Sequence, residues 1–70
     1  MSPYQMTTYQ IRVHQELFDL EDKINKLSLF QNNAAYNQLD KVDQNLLQEQ
    51  KMAMIDYADI LKLRIARFKE

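Results

Sequence analysis

Aromatic and charged side chains recur at helical spacing in the first half of this 70-residue sequence. Steps of three and four residues place them on one face of a helix, because an α-helix has 3.6 residues per turn. The face could be a solvated flank whose charges pair four residues apart, Arg12 with Glu16 and Asp19 with Lys23. It could also bind a ligand. The series comprises Tyr9, Arg12, Glu16, Asp19, Lys23, Lys26 and Phe30.

The second half carries a related series of long polar side chains beside an apolar stripe. Gln50, Tyr57 and Arg64 are seven residues apart and therefore lie on one helix face. Polar residues in such positions can fix the register of packed helices, or can extend along the apolar surface to reach water. A pocket that holds a ligand is the third possibility, and the spacing alone leaves all three open.

An antiparallel arrangement of the two halves would bring the chain ends together. Tyr9 and Arg12 would then lie near Arg64 and Arg67. Aromatic faces stack on nucleobases, and a guanidinium group binds phosphate through two parallel hydrogen bonds. The sequence therefore predicts a site for a nucleotide-sized anion at the joined ends, particularly if a second subunit completes the pocket.

Residue types that support catalysis or metal binding are scarce. His14 is the only histidine, there is no cysteine, and no Glu-x-x-His motif of the helical di-metal kind occurs. The absence of glycine excludes a glycine-rich phosphate loop. Methionine residues are expected to fill the core. We therefore expect no enzymatic activity, no metal and no cofactor.

Composition narrows the class of partner. A formal net charge of −1 argues against binding of a nucleic-acid polymer, which requires a basic face. The 46% of hydrophobic and 27% of charged residues are typical of a globular chain. No apolar run is long enough to span a membrane, and the N-terminus lacks a signal-peptide pattern. We expect a soluble protein that stays in the compartment where it is made and has no membrane partner.

Two long helices are the elements that would position these side chains. The sequence has no glycine and only Pro3, so it favours long helices over tight turns. We predict an all-α fold: a single antiparallel helical hairpin with helices over about 4–31 and 41–68, and a connection over about 32–40 containing a short helical turn. The predicted core stripes are Val13, Leu17, Leu20, Ile24 and Leu27 in the first helix, and Leu47, Met54, Ala58, Leu61, Ile65 and Phe68 in the second, with Leu46 and Ile60 beside them.

Polar residues are predicted to mark the ends of the helices. Ser2 could cap the first helix, with Pro3 at its first position, and Asn32 or Asn33 could end it in a left-handed conformation. Asp40 could cap the second helix. Tyr36 and Leu39 are expected to cover the end of the bundle, and Asp43 to add an acidic group to the first turn of the second helix.

Many apolar residues lie off the predicted core stripes, and this surplus predicts self-association. A lone hairpin of this length buries too little apolar surface to offset its ordering entropy comfortably. A large exposed apolar set is typical of an interface. The residues are Tyr4, Met6, Ile11, Phe18, Leu29, Phe30, Tyr36, Leu46, Met52, Ile55 and Ile60.

The pattern of residues along both predicted helices resembles a family of short helical proteins found in phages and prophages, including crAss-like phages. The resemblance covers about residues 9–68. It departs from the family at residues 39–43, where members often carry a proline and several acids. The matching positions are Tyr9, Gln10, Arg12, Val13, Glu16, Leu17, Leu20, Lys23, Ile24, Lys26, Leu27 and Phe30, then Leu47, Gln50, Met54, Tyr57, Leu61, Arg64, Ile65 and Phe68.

As short helical hairpins, these proteins are similar to the phage sponge proteins that counter bacterial CBASS and Thoeris immunity. The resemblance implies a homo-oligomer that binds a cyclic dinucleotide or a cyclic ADP-ribose-type signal without cleaving it, in the cytoplasm of the infected bacterial host. It implies an aromatic ring stacked on a base and cationic side chains on the phosphates. The implied ligand-binding residues are Tyr9, Arg12, Lys26, Tyr57, Arg64 and Arg67.

Two other functions fit the same residues. A protein–protein interaction module, an adaptor or an inhibitor, would dock on a host or phage partner through Phe18, Leu29, Phe30 and Tyr36. Copurification of one stoichiometric host protein would favour it. A structural coiled-coil piece of a virion would instead be abundant in purified particles.

Overall fold

The computed structural model describes residues 6–68, which form two long helices and one short helix. Helix α1 spans Thr8–Gln31, α2 spans Ala34–Asn37 and α3 spans Lys41–Ala66. No strand occurs within residues 6–68. The prediction of an all-α protein with two long helices is confirmed.

Helix α1 begins at Thr8, and Met6 and Thr7 lie outside it, although the sequence predicted a start near residue 4. Thr7 is the N-cap: its hydroxyl accepts a hydrogen bond from the Gln10 backbone N–H at 3.2 Å. The Thr7 N–H donates in turn to the Gln10 side-chain oxygen at 3.0 Å. This capping box satisfies two backbone donors and fixes the helix start. The predicted start at Ser2 and Pro3 lies outside the described residues.

The end of α1 contains no left-handed residue, which corrects the expectation for Asn32 and Asn33. Asn32 has φ −93° and ψ 3°. Its N–H donates to the Leu29 carbonyl at 3.1 Å, and the Asn33 N–H donates to the Phe30 carbonyl at 2.9 Å, in a tightened last turn. Asn33 is extended because it caps α2: its side-chain oxygen accepts from the Ala35 N–H at 2.8 Å. The second asparagine therefore starts a helix and does not end one.

Tyr36 and Gln44 fasten the connection to α3. The Tyr36 hydroxyl donates to the Gln44 carbonyl at 3.0 Å. The Gln44 side-chain amide donates to the carbonyls of Asn37 and Leu39, at 3.3 and 3.0 Å. Asp40 occupies the N-cap position of α3 but makes no side-chain capping bond. Because Gln44 binds the carbonyls that precede α3, it holds the connection in place of the predicted aspartate cap.

The core lies along the seam between α1 and α3, as the sequence predicted. Val13, Leu20, Ala58 and Leu61 are buried, and the Leu61 side chain has 0% exposure. The flanking residues are partly buried against them: Leu17, Ile24, Met54, Ile65 and Phe68. The stripes of the two helices therefore pack on each other, as their four-three spacing requires.

Polar contacts across the seam give the direction of the two helices. The Gln31 side-chain amide donates to Gln48 at 3.0 Å near the connection, and the Lys62 ammonium lies 3.4 Å from the Glu21 carboxylate further along. These pairs require that α1 and α3 run antiparallel. Within residues 6–68, no helix combines the length and the apolar composition needed to cross a lipid bilayer.

Candidate functional site

An aromatic and cationic cluster lies where the start of α1 meets the end of α3. An Arg64 guanidinium N–H donates to the Tyr9 hydroxyl, and the guanidinium carbon lies 5.6 Å from the centre of the Tyr9 ring. The Phe68 ring centre is 5.9 Å from that of Tyr9, with an angle of 59° between the planes. We call Tyr9, Arg64 and Phe68 the end cluster. The antiparallel pairing brings Tyr9 and Arg64 together, although they are 55 positions apart.

The end cluster offers both parts of nucleotide recognition. Tyr9 is exposed, so a planar group can reach its ring from solvent. A guanidinium group has five N–H donors, and the bond to Tyr9 uses one of them. The donors that remain can bind phosphate oxygens. An aromatic face beside a cation is an arrangement suited to a base and its phosphate.

His14 extends the end cluster, a placement that sequence reasoning missed. Its ring lies 6.2 Å from that of Phe68 in an edge arrangement. A single histidine on an exposed helix position carries no signal of such a contact. The contact can be predicted only when the register of α1 against α3 is known, because that register places His14 opposite Phe68.

Arg12 and Tyr57 line an open groove of about 510 Å³ on one face of the hairpin. Its other lining residues come mainly from the charged face of α1: Gln15, Glu16, Asp19, Leu20 and Lys23. We call this surface the charged groove. The predicted pairs of Arg12 with Glu16 and of Asp19 with Lys23 do not form: within residues 6–68, the ion pairs join Lys26 to Asp22 and Lys62 to Glu21. These long side chains are exposed, and holding them together gains little free energy.

The structure separates the remaining predicted site residues. Lys26 forms an ion pair with Asp22 at 3.0 Å, and it lies about 21 Å along α1 from Arg12 at 1.5 Å per residue. On a single chain, Lys26 is therefore far from Arg12 and from the end cluster. Arg67 is the exposed C-cap residue of α3, at the same end of the hairpin as Arg64. Tyr9, Arg64 and Arg67 share that end, Arg12 and Tyr57 share the charged groove, and Lys26 stands apart.

The opposite face of the hairpin carries a second groove, of about 400 Å³, that sequence reasoning did not identify. Glu21 and Lys62 cross it as an ion pair. Ile24, Ile55 and Ala58 form its floor. The face is bridged again near the connection, where the Lys51 ammonium donates to the Gln31 side-chain oxygen at 3.2 Å. In both contacts, the polar side chains of α1 and α3 pair with each other within one chain.

Clusters of metal-binding side chains are absent from the part of the chain that the structure describes. No group of three His, Asp or Glu side chains is placed to hold a metal ion there. The groups available at the end cluster and in the charged groove are aromatic rings, guanidinium and ammonium donors, and carboxylates. They can stack and form hydrogen bonds.

The comparisons with known proteins identify a phage family. Residues 7–67 match the sequence model of the Sequestin family. An uncharacterised 7.5 kDa protein from the denB–rIIB intergenic region of Enterobacteria phage T4 is 44% identical over 64 residues, which cover 91% of this chain and 100% of the phage protein. No solved structure matches. The predicted relation to short phage proteins is confirmed, whereas the link to crAss-like phages stays a prediction. Because the match extends over most of its length, the chain belongs to the Sequestin family.

Proposed function

We propose that the chain is a phage sponge, a protein that binds a cyclic nucleotide immune signal and withholds it from the host without cleaving it. The observation that carries the proposal is the end cluster, where Arg64 lies over the Tyr9 ring and donates to its hydroxyl beside Phe68. The family name supports a sequestering role, and the phage T4 relative supports a role during infection.

Binding would use stacking for the base and N–H donors for the phosphates. The Tyr9 ring receives the base, since aromatic stacking tolerates any base and contributes about 1–3 kcal/mol. Arg64 and Arg67 supply donors at the same end, and Arg12 lies three residues after Tyr9 on α1. Two arginines on one anion give both affinity and geometric selectivity. The ligand class is a cyclic dinucleotide or a cyclic ADP-ribose-type molecule.

The chain acts on the signal by binding alone in this proposal, and it is not an enzyme. Stacking and hydrogen bonding leave every covalent bond of the ligand intact. The protein would lower the free concentration of the signal in the cytoplasm of the infected bacterium, in proportion to the number of sites. A sponge must therefore be abundant or bind tightly, because it does not turn over.

A homo-oligomer would complete the site. One hairpin leaves Tyr9 exposed, so a ligand on its ring would keep much of its surface in water. Small-ligand sites usually bury most of the ligand surface. A second chain over the end cluster would enclose the ligand.

A capture-and-release experiment tests sequestration and the absence of cleavage together. The purified protein is incubated with a cyclic dinucleotide or a cyclic ADP-ribose isomer, filtered to remove free nucleotide, and then denatured by heat. The released nucleotide is identified by mass spectrometry. We expect one ligand class to be retained and recovered intact.

Two outcomes would contradict the proposal. Recovery of a linear or hydrolysed product would make the protein an enzyme. Failure of every cyclic nucleotide to be retained by folded protein would remove the sponge function. An Arg12→Ala, Arg64→Ala double variant serves as the control for non-specific retention.

A protein–protein interaction module is the second candidate, favoured by the back of α1. Phe18 and Leu29 are 72% and 71% exposed, and Ile11 lies on the same side of the helix. Phe30 and Tyr36, which the sequence also suggested for this surface, pack on each other with ring centres 5.9 Å apart and are half-buried. A Phe18→Ser, Leu29→Ser variant that loses a stoichiometric host partner but keeps nucleotide binding would establish this second role.

A further inference from the structure

Helix α3 carries a second apolar stripe, outside the core. Leu46, Ala53 and Ile60 are seven residues apart and all exposed, with Leu46 at 57% and Ile60 at 55%. Gln50, Tyr57 and Arg64 fall between and after them, which gives the four-three spacing of a coiled-coil seam. These six residues, Leu46, Gln50, Ala53, Tyr57, Ile60 and Arg64, are called the outer seam.

The outer seam lies on one broad face of the hairpin, beside the contact between α3 and α1. At its end the Arg64 side chain extends toward α1, where it reaches Tyr9. Ala53 and Ile60 directly precede Met54 and Leu61, which pack in the core. One residue corresponds to a rotation of about 100° around the helix axis. The core seam therefore fills the contact with α1, and the outer seam faces the same side of the hairpin as the charged groove, where Tyr57 is a lining residue.

We propose that a second copy of the chain packs on this face, with the two α3 helices antiparallel along the outer seam. The outer seam consists of an apolar set (Leu46, Ala53 and Ile60) and a polar set (Gln50, Tyr57 and Arg64). In an antiparallel pair of helices, each residue of the apolar set packs opposite a residue of the partner's polar set. The twofold axis then passes midway between positions 53 and 57. Ala53 lies against Tyr57 of the partner subunit, and the symmetry repeats this contact. A small side chain opposite a large one allows close approach of the helices.

The other layers fit the same register. Ile60 packs against Gln50 of the partner subunit, and Leu46 packs against the aliphatic stem of the partner's Arg64. Helix α3 is about 39 Å long at 1.5 Å per residue and the hairpin is 16 Å wide, so this face can supply most of the roughly 800 Å² per partner of a standard interface. On the opposite face, bridges such as Glu21–Lys62 already join α1 to α3.

Charge on α1 is compatible with this register. When the two hairpins pack face to face with α3 on α3, the two α1 helices also lie on each other and run antiparallel. The basic residues Lys23 and Lys26 of one chain then lie toward Asp19 of the other. Asp19 and Lys23 are exposed in the charged groove and form no ion pair within residues 6–68. The result is a four-helix bundle with an apolar α3 side and a polar α1 side.

This inference rests on the self-association within the proposed function, and it adds a role for Tyr57. The register places Tyr57 at the subunit interface, so it holds the assembly and does not contact the ligand. It also places Leu46 of the partner subunit at Arg64, which brings the second chain over the end cluster.

Two matched glutamate substitutions test whether the outer seam is the interface between subunits. Ala53 and Phe18 are both exposed in the single hairpin, so glutamate at either position leaves the core intact. We expect light scattering after gel filtration to give at least twice the 8.4 kDa chain mass for the wild type and for Phe18→Glu. The Ala53→Glu variant should fall to the mass of one chain while its helical circular dichroism is retained. A wild type with the mass of one chain, or dissociation by Phe18→Glu and not by Ala53→Glu, would overturn the proposal.

Disulfide cross-linking tests whether the two α3 helices run antiparallel. It does not depend on how the Ala53→Glu variant folds. The sequence contains no cysteine, so introduced ones report alone. Oxidation of a mixture of Ala53→Cys and Tyr57→Cys chains should join one of each, with Ala53→Cys alone giving little product. Cross-linking of Ala53→Cys to itself, and not to Tyr57→Cys, would indicate parallel helices and overturn the register.

The two proposals fail separately. A wild-type dimer that binds none of the cyclic nucleotides tested would leave the outer seam established and remove the sponge function. A single chain that binds a cyclic nucleotide would remove the outer-seam interface and leave the ligand assignment in place.

Discussion

At the scale of single residues, the contact between Tyr9 and Arg64 is the feature on which the proposed function rests. The two residues are distant in sequence, and only the antiparallel pairing of α1 and α3 brings them together. The sequence predicted this proximity because the apolar stripes fix which helix ends meet. It did not predict that Lys26 would pair with Asp22, because choice among neighbouring charges on an exposed helix depends on free-energy differences of a few tenths of a kcal/mol.

Removal of two guanidinium groups should weaken ligand binding with little effect on folding. We expect the Arg12→Ala, Arg64→Ala variant to bind its cyclic nucleotide at least about 100-fold more weakly, because charged hydrogen bonds contribute about 1.5–3 kcal/mol each. The free energy of unfolding should change by less than about 1 kcal/mol, since neither side chain belongs to the buried core. Calorimetric titration and urea unfolding measure the two quantities.

Lys62→Ala is the matched control, because it removes one positive charge from the opposite face of the hairpin. Its affinity for the nucleotide should equal that of the wild type. Equal losses in Lys62→Ala and in the double variant would indicate that net charge, and not the end cluster, governs binding.

At the scale of helices, short-range signals explain where each element begins. The Thr7–Gln10 capping box is readable in the sequence as Thr-x-x-Gln, but the proline at position 3 directed the prediction to an earlier start. Most residues of the core stripes were predicted correctly because burial imposes the helical period on them. Leu27 and Leu47 are half-buried but lie outside the core cluster. The Tyr36–Gln44 contacts could not be predicted, because they depend on how α2 folds back over the start of α3.

The cap of α1 should contribute measurably to stability. Thr7→Ala removes the hydroxyl that accepts from Gln10, at a cost of about 1 kcal/mol. For a chain of this length, the thermal midpoint should fall by about 4–8 °C. Thr8→Ala is the control: Thr8 is the first helical residue, and alanine has the higher helix propensity there. A lower midpoint for Thr8→Ala than for Thr7→Ala would contradict the cap assignment.

The core seam should tolerate truncation poorly. Leu61 is fully buried between the two long helices, so Leu61→Ala should destabilise the fold by about 2–5 kcal/mol. Leu29→Ala removes the same atoms from the exposed back of α1 and should change stability by less than about 0.5 kcal/mol. Urea unfolding followed by circular dichroism gives both values. Similar midpoints for the two variants would mean that Leu61 is not in the core.

At the scale of the whole molecule, the hairpin is long and thin, with extents of 58 × 16 × 14 Å. Only four residues are buried apolar core within the described chain: Val13, Leu20, Ala58 and Leu61. Chains of this size usually need an additional source of stability, and this sequence has no cysteine for a disulfide. Association with further copies is the source that the exposed outer seam favours.

The proposed association predicts that stability depends on protein concentration. We expect the thermal midpoint to rise by several degrees as the protein concentration increases a hundredfold, because the assembled chain is favoured by mass action. Ala53→Glu should show a midpoint that is lower and independent of concentration. A wild-type midpoint that stays constant across this range would indicate a hairpin that is stable by itself.

A thermal-shift screen of the wild-type protein tests the central claim most directly. The panel contains cyclic dinucleotides, cyclic trinucleotides and cyclic ADP-ribose isomers, with the corresponding linear mononucleotides as controls. A ligand at 100 times its Kd should stabilise the fold by about 2.7 kcal/mol, which raises the midpoint by several degrees. We predict such a shift for one cyclic class and a smaller one for its linear counterpart. A flat response to the whole panel, from protein that is folded and oligomeric, would contradict the sponge function.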